Sequence, residues 1–125
     1  MDLARQQAAL AIPRVGSYCV GAALYDSEGN LLATGYTGEL EGNTHAEEVC
    51  FLKIDKVPTG CTLYTTMEPC SYRLSGKKSC TEWCLEKGIA RVVYGIREPP
   101  DLVTCCGVEI LRDRVQINEN IYIQH

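Results

Sequence analysis

Three short segments carry side chains that could act on one substrate: Thr44-His45-Ala46-Glu47, Glu68-Pro69-Cys70, and Cys80 ten residues after Cys70. One imidazole and two thiolates form a soft donor set suited to Zn²⁺. Structural zinc sites close all four tetrahedral positions with protein ligands, whereas catalytic sites leave the fourth to water or substrate. A set of His45, Cys70 and Cys80 is of the second kind. Glu47, two residues from His45, then lies beside the metal without being needed on it. A carboxylate in that place can carry protons to and from a reacting water.

Plainer roles stand open to the same residues. Thr44-His45-Ala46-Glu47 has the form of a capping box, with Glu47 reaching back to the Thr44 backbone N–H. Cys84, one helical turn after Cys80, offers either a core thiol or a fourth sulfur that would close a purely structural site. Eight cysteines in 125 residues would suggest four bridges in a secreted chain. The N-terminal run is amphipathic and does not read as a secretory segment, and cytosolic thiols stay reduced, so the Cys70–Cys80–Cys84 cluster reads as metal-binding. Cys19, Cys50 and Cys61 sit in apolar runs and read as small hydrophobes.

The elements that must position these groups follow from pattern and punctuation. A helix is predicted over 3–12, closed by Pro13. Strands over 17–25 and 31–36 flank the turn cluster 26–30 and form a hairpin. A glycine-bearing loop over 37–44 feeds a helix over 45–56, which Pro58-Thr59-Gly60 ends. A strand over 61–66, a helix through Trp83 and Leu85 stopped by Gly88, and an apolar strand over 89–96 come next. A short helix over 108–112 and a strand over 114–117 complete the series. Strands alternating with helices call for crossovers, hence a mostly parallel sheet with one antiparallel hairpin edge and helices on both faces. The predicted fold is an α/β three-layer α/β/α sandwich on a five-stranded mixed sheet. In such a sheet, strand C-termini and helix N-termini share one edge, where His45, Cys70 and Cys80 can converge. Helix N-termini also favour thiolate over thiol.

Residues 1–125 are of a length for one domain without internal repeat. The formal net charge of −4 opposes a basic nucleic-acid surface. No apolar stretch approaches the ~20 residues of a membrane span. A soluble, cytoplasmic domain is expected, with no nucleic-acid or membrane partner.

With Gly42-Asn43-Thr44-His45-Ala46-Glu47 and Thr66-Met67-Glu68-Pro69-Cys70-Ser71-Tyr72-Arg73-Leu74-Ser75-Gly76…Cys80 in view, the chain resembles the cytidine-deaminase-like superfamily. Within it, the chain is most similar to the pyrimidine deaminases of riboflavin biosynthesis in their fungal form. That branch has Glu-Pro-Cys-Ser and a widened loop in place of Pro-Cys-x-x-Cys. The resemblance implies that His45, Cys70 and Cys80 hold Zn²⁺ and that Glu47 shuttles protons. It also implies that Asn43 and Glu68 meet the substrate, and that a homodimer or homotetramer forms. The Asn-Pro pair of bacterial members is missing from the segment 12–17. Their fused reductase domain is not expected in 125 residues. The implied reaction replaces the exocyclic amine of a phosphorylated diaminopyrimidinone, ribitylamino or ribosylamino, by a carbonyl with release of ammonia. Deamination of a free base or nucleoside, and a zinc-stabilised binding module without catalysis, are the competing readings.

The widened loop has chemistry of its own. Residues 71–79 bring Arg73, Ser75, Lys77 and Lys78 into an otherwise acidic protein. Cations beside hydroxyl and glycine backbone donors suit a phosphate clamp. A solvated surface loop with incidental charges is the plainer alternative.

Overall fold

A computed structural model of the protein describes residues 1–13, 18–71, 73, 76–96, 107–112 and 115–119. The elements run α1 (Asp2–Ala8), β1 (Gly21–Tyr25), β2 (Leu31–Tyr36), α2 (Ala46–Leu52), β3 (Thr62–Met67), α3 (Cys80–Lys87), β4 (Arg91–Ile96), α4 (Gly107–Leu111) and β5 (Gln116–Glu119). Every predicted element has its counterpart, with shifted ends. After Ala9 the bonding of α1 tightens, Leu10 N–H reaching Gln7 O and Ala11 N–H reaching Ala8 O, so the regular helix stops before Pro13 does so.

The five strands form one mixed sheet in the order β2-β1-β3-β4-β5. β3, β4 and β5 run parallel, while β1 pairs antiparallel with both β2 and β3. Four strands, β2 to β5, thus point one way and β1 alone runs against them. This is the expected mostly parallel mixed sheet with an antiparallel hairpin at one edge, β1 being the inner strand of that hairpin. The β2–α2–β3 crossover steps over β1 and leaves it inside the sheet. β1 suits that place: Gly21, Ala22, Ala23 and Leu24 are all buried. β2 at the edge alternates towards solvent.

Two glycines set the layers. Tyr36 lies opposite Gly21 and Gly35 opposite Ala22, so the two glycines face opposite sides of the sheet. A Cβ on Gly21 would stand 1.9 Å from Ala4 O of α1, and one on Gly35 2.3 Å from Ala46 O of α2. Only glycine admits each helix so close, and α1 and α2 therefore cover opposite faces. α3 joins α2 through Trp83, which stacks on Phe51 with ring centroids 5.9 Å apart. The core beneath them unites Leu24, Leu63, Val92, Cys50, Cys84 and Leu111. Each such aliphatic side chain contributes about 1.5–3 kcal/mol on burial, so the helices that start at the site rest on a fixed base.

All six cysteines among the described residues are free. Cys50 and Cys61 are buried as expected, but Cys19 is exposed. It lies before β1 begins, outside the ladder that would have covered it. Among the described residues, no helix is long and apolar enough to cross a membrane.

Candidate active site

β2 and β3 run in the same direction, so the segments leaving their C-terminal ends meet at one sheet edge. The segment after β2 is braced by Thr44, whose hydroxyl donates to Leu40 O at 2.9 Å and accepts from Leu40 N–H at 3.2 Å. Asn43 holds a left-handed backbone, φ 57°, a conformation that its short amide tolerates better than most side chains. His45 then takes the N-cap position of α2 with extended backbone. Its N–H donates to Glu48 Oε1 at 3.1 Å.

The reciprocal carboxylate of the helix start is thus Glu48, not Glu47. The observed box lies one residue later than the predicted one, because His45, not Thr44, is the cap. Glu47 is left outside the capping arrangement, and it is buried, 4% exposed.

Cys70 follows β3 through Glu68-Pro69. Thr81 pins its carbonyl twice, from the backbone N–H at 2.9 Å and from the hydroxyl at 2.7 Å. Cys80 is the first residue of α3, whose N-cap Ser79 accepts from Glu82 N–H at 3.1 Å. The Cys80 N–H donates to Cys70 Sγ at 3.2 Å.

The ligand atoms of His45, Cys70 and Cys80 all lie within 4.8 Å of one another. His45 Nδ1 stands 3.5 Å from Cys70 Sγ and 3.6 Å from Cys80 Sγ. Tetrahedral zinc, with bonds of about 2.3 Å to sulfur and 2.0 Å to nitrogen, places such a nitrogen and sulfur about 3.5 Å apart. The donor set and its spacing therefore fit zinc. Among the described residues this is the one such cluster, and Cys84 is not in it. Cys84 lies in the core, where burial pushes its thiol well up.

The electrostatics are those of a crowded, dry site. The Cys80 thiol hydrogen-bonds to Cys70 and, with His45, brings the Cys70 thiol down to about 4 against its burial. Cys80, bonded to Cys70 and buried, is pushed well up in turn. Burial and then the Cys70 charge push Glu47 up to about 7. Burial pulls the His45 imidazole down, but its bond to Cys70 overcomes this and the net direction is upward.

The residues expected at the substrate are scattered in their engagements. Asn43 is exposed at the turn before His45. Glu68 is buried, and its Oε2 accepts from Val108 N–H at 3.3 Å, so this carboxylate is engaged beneath α4. Arg73 does not stand out in the loop. Its side chain is 1% exposed and paired with Glu48 at 3.0 Å, which corrects its assignment to a phosphate clamp. Lys78 is likewise engaged, with Glu86 and over the Trp83 ring. Lys77 is exposed, its Nζ 3.4 Å from where a Cβ on Gly42 would stand, beside the Asn43 turn. Ser75 lies outside the described residues.

Glu48 is the residue that sequence reasoning passed over. Its position three after His45 is the capping-box interval, visible once His45 is taken as the cap.

A mixed sheet with helices on both faces and a His/Cys/Cys cluster at its strand ends is the layout of a zinc-dependent deaminase domain. The chain belongs to the family of the cytidine and deoxycytidylate deaminase zinc-binding region, whose model matches residues 1–96. Among its relatives is the diaminohydroxyphosphoribosylamino-pyrimidine deaminase of Schizosaccharomyces pombe, 44% identical over 105 residues, 80% of this chain and 26% of that protein. The riboflavin biosynthesis protein RibD of Aquifex aeolicus is 36% identical over 94 residues, 75% of this chain and 26% of that protein. The chain thus spans about a quarter of the length of these curated relatives. Among solved structures, the Aspergillus oryzae Rib2 deaminase in complex with DARIPP superposes with a TM-score of 0.77 at 29% identity, covering 94% of this chain and 78% of that one.

Proposed function

We propose that residues 1–125 form one zinc-dependent deaminase domain of riboflavin biosynthesis. Its substrate is a diaminopyrimidinone bearing a ribitylamino or ribosylamino 5′-phosphate. The observation that carries this reading is the convergence of His45, Cys70 and Cys80 at zinc-ligand spacing, beside a buried Glu47 that the helix cap does not use. The name of the Schizosaccharomyces pombe relative supports the substrate class.

His45, Cys70 and Cys80 would hold the metal, which when bound makes a water acidic enough to react near neutral pH. Glu47 takes the proton of the attacking water and passes it to the ring nitrogen next to the carbon that bears the amine. The C–O bond forms at that carbon and its C–N bond breaks. The same carboxylate supplies a proton to the departing ammonia, and a ring carbonyl remains. Asn43 orients the substrate from the exposed turn, and Lys77 beside it meets the 5′-phosphate, with Ser75 from the same loop. In this reading the domain works in the cytoplasm as a homodimer or homotetramer, and nucleic acid is not a partner.

The test is ammonia release by the zinc-loaded protein across a small panel. It comprises the ribitylaminopyrimidine with and without its phosphate, cytidine, dCMP and guanine. Turnover of the phosphorylated diaminopyrimidinone alone, or far ahead of the rest, is expected. Brisk turnover of cytidine, or equal turnover with and without phosphate, overturns the assignment.

A further inference from the structure

Arg73 makes contacts with three segments at once. Nη1 donates to Glu48 Oε1 at 3.0 Å and to Lys78 O at 3.2 Å, and Nη2 donates to Asn43 O at 2.6 Å. The Glu48 oxygen it holds is the same one that accepts the His45 N–H at 3.1 Å. One guanidinium therefore joins the turn before His45, the first turn of α2, and both ends of the loop between Cys70 and Cys80. The pair is buried, with side-chain exposures of 1% for Arg73 and 10% for Glu48.

Such a pair is weak evidence for overall stability, because removing two charges from water offsets much of their attraction. Its worth lies in geometry. A planar fork of fixed donors can span acceptors on separate segments, which a compact ammonium cannot do. Both terminal nitrogens of Arg73 are engaged internally, while its buried Nε has no hydrogen-bond partner among the described residues.

We infer that Glu48 and Arg73 are a positioning pair, which holds the segments carrying His45, Cys70 and Cys80 in register for the metal. The inference rests on the metal reading of those three residues. It assigns neither member a contact with substrate.

The test is zinc release to an excess of a chromophoric chelator, which needs no turnover. Wild type, Arg73→Lys, Glu48→Gln, their double variant and the core variant Leu111→Val are compared, with folding followed by circular dichroism. Arg73→Lys keeps the charge but cannot reach all three acceptors. Its release is expected to rise about 10–100-fold, the usual cost of losing a group that orients metal ligands. Glu48→Gln leaves Arg73 without its counter-charge and should behave alike. The double variant should release little faster than either single one, because the two act as a unit. Leu111→Val should release at the wild-type rate. Release from Arg73→Lys within about two-fold of wild type overturns the inference, as does equal loosening by Leu111→Val. Should Arg73→Lys fail to fold, Glu48→Gln decides by the same criterion. A wild-type chain that takes up no zinc overturns the metal reading and this inference together, a result distinct from unchanged release.

Discussion

The backbone N–H of Cys80 donates to Cys70 Sγ across 3.2 Å, so the residue that opens α3 turns its own amide on the other sulfur of the pair. With Thr81 holding the Cys70 carbonyl from the same helix turn, the two cysteines are fixed to each other by backbone, although nine residues lie between them. The thiolate that a metal needs is favoured at Cys70 before any metal arrives.

Metal removal should therefore lower stability without abolishing the fold, since the core beneath α2 and α3 does not include the ligands His45 and Cys70. Zinc that binds only the folded chain stabilises it by RT ln(1 + [Zn]/Kd), about 4 kcal/mol at a thousand-fold excess over Kd. Thermal unfolding with a chelator should show a midpoint several degrees lower, restored by added zinc. An unchanged midpoint would contradict metal binding at this cluster.

In the proposed reading the neighbours Glu47 and Glu48 have divided tasks, and substitution should separate them. Glu47→Gln is expected to keep zinc and fold while turnover falls ~10²–10⁴-fold, the usual worth of a positioned proton carrier. Turnover left intact in Glu47→Gln would take Glu47 out of the proton path and leave it a buried carboxyl with a structural part only. Steady-state rates and denaturation on the same preparation decide between these outcomes.

Much of this site was legible because its chemistry is written in residue types. His45, Glu47, Cys70 and Cys80 stand out as a soft donor set with one spare carboxylate, and strand–helix alternation brings them to one sheet edge. What was not legible depended on contacts between distant segments. The capping carboxylate lies one residue past the predicted one, because the histidine itself is the N-cap. Arg73 reads as a cation of a phosphate clamp, for nothing local shows that Glu48, 25 positions earlier, is there to receive it. The β1–β2 hairpin lies at the sheet edge as expected, but that β1 is its inner strand follows only from the crossover that passes over it.

Close approach of α2 to β2 predicts a second effect on the site. Gly35→Ala would drive its Cβ against the Ala46 carbonyl, 2.3 Å away, at the residue next to His45. The helix start must shift, at a cost of about 1–3 kcal/mol for overpacking. Zinc affinity should fall together with the unfolding midpoint. A midpoint that drops while affinity holds would show that His45 does not depend on this packing.

The proposed reading gives the 5′-phosphate to Lys77, which is exposed beside the Asn43 turn. Lys77→Ala should shrink the preference for phosphorylated over dephosphorylated substrate by ~1.5–3 kcal/mol, the value of a charge-assisted hydrogen bond. The ratio of kcat/KM for the two substrates measures this. A ratio equal to that of wild type would leave the loop a solvated surface and place phosphate recognition elsewhere.

The proposal of an open three-ligand metal centre is tested most directly by X-ray absorption at the zinc edge of the loaded protein. Two sulfurs at about 2.3 Å and nitrogen or oxygen donors at about 2.0 Å are predicted, with a spectrum unchanged in Cys84→Ser. Three sulfurs, one of them lost in Cys84→Ser, would mean that the site is closed and structural, and would contradict a metal poised for deamination.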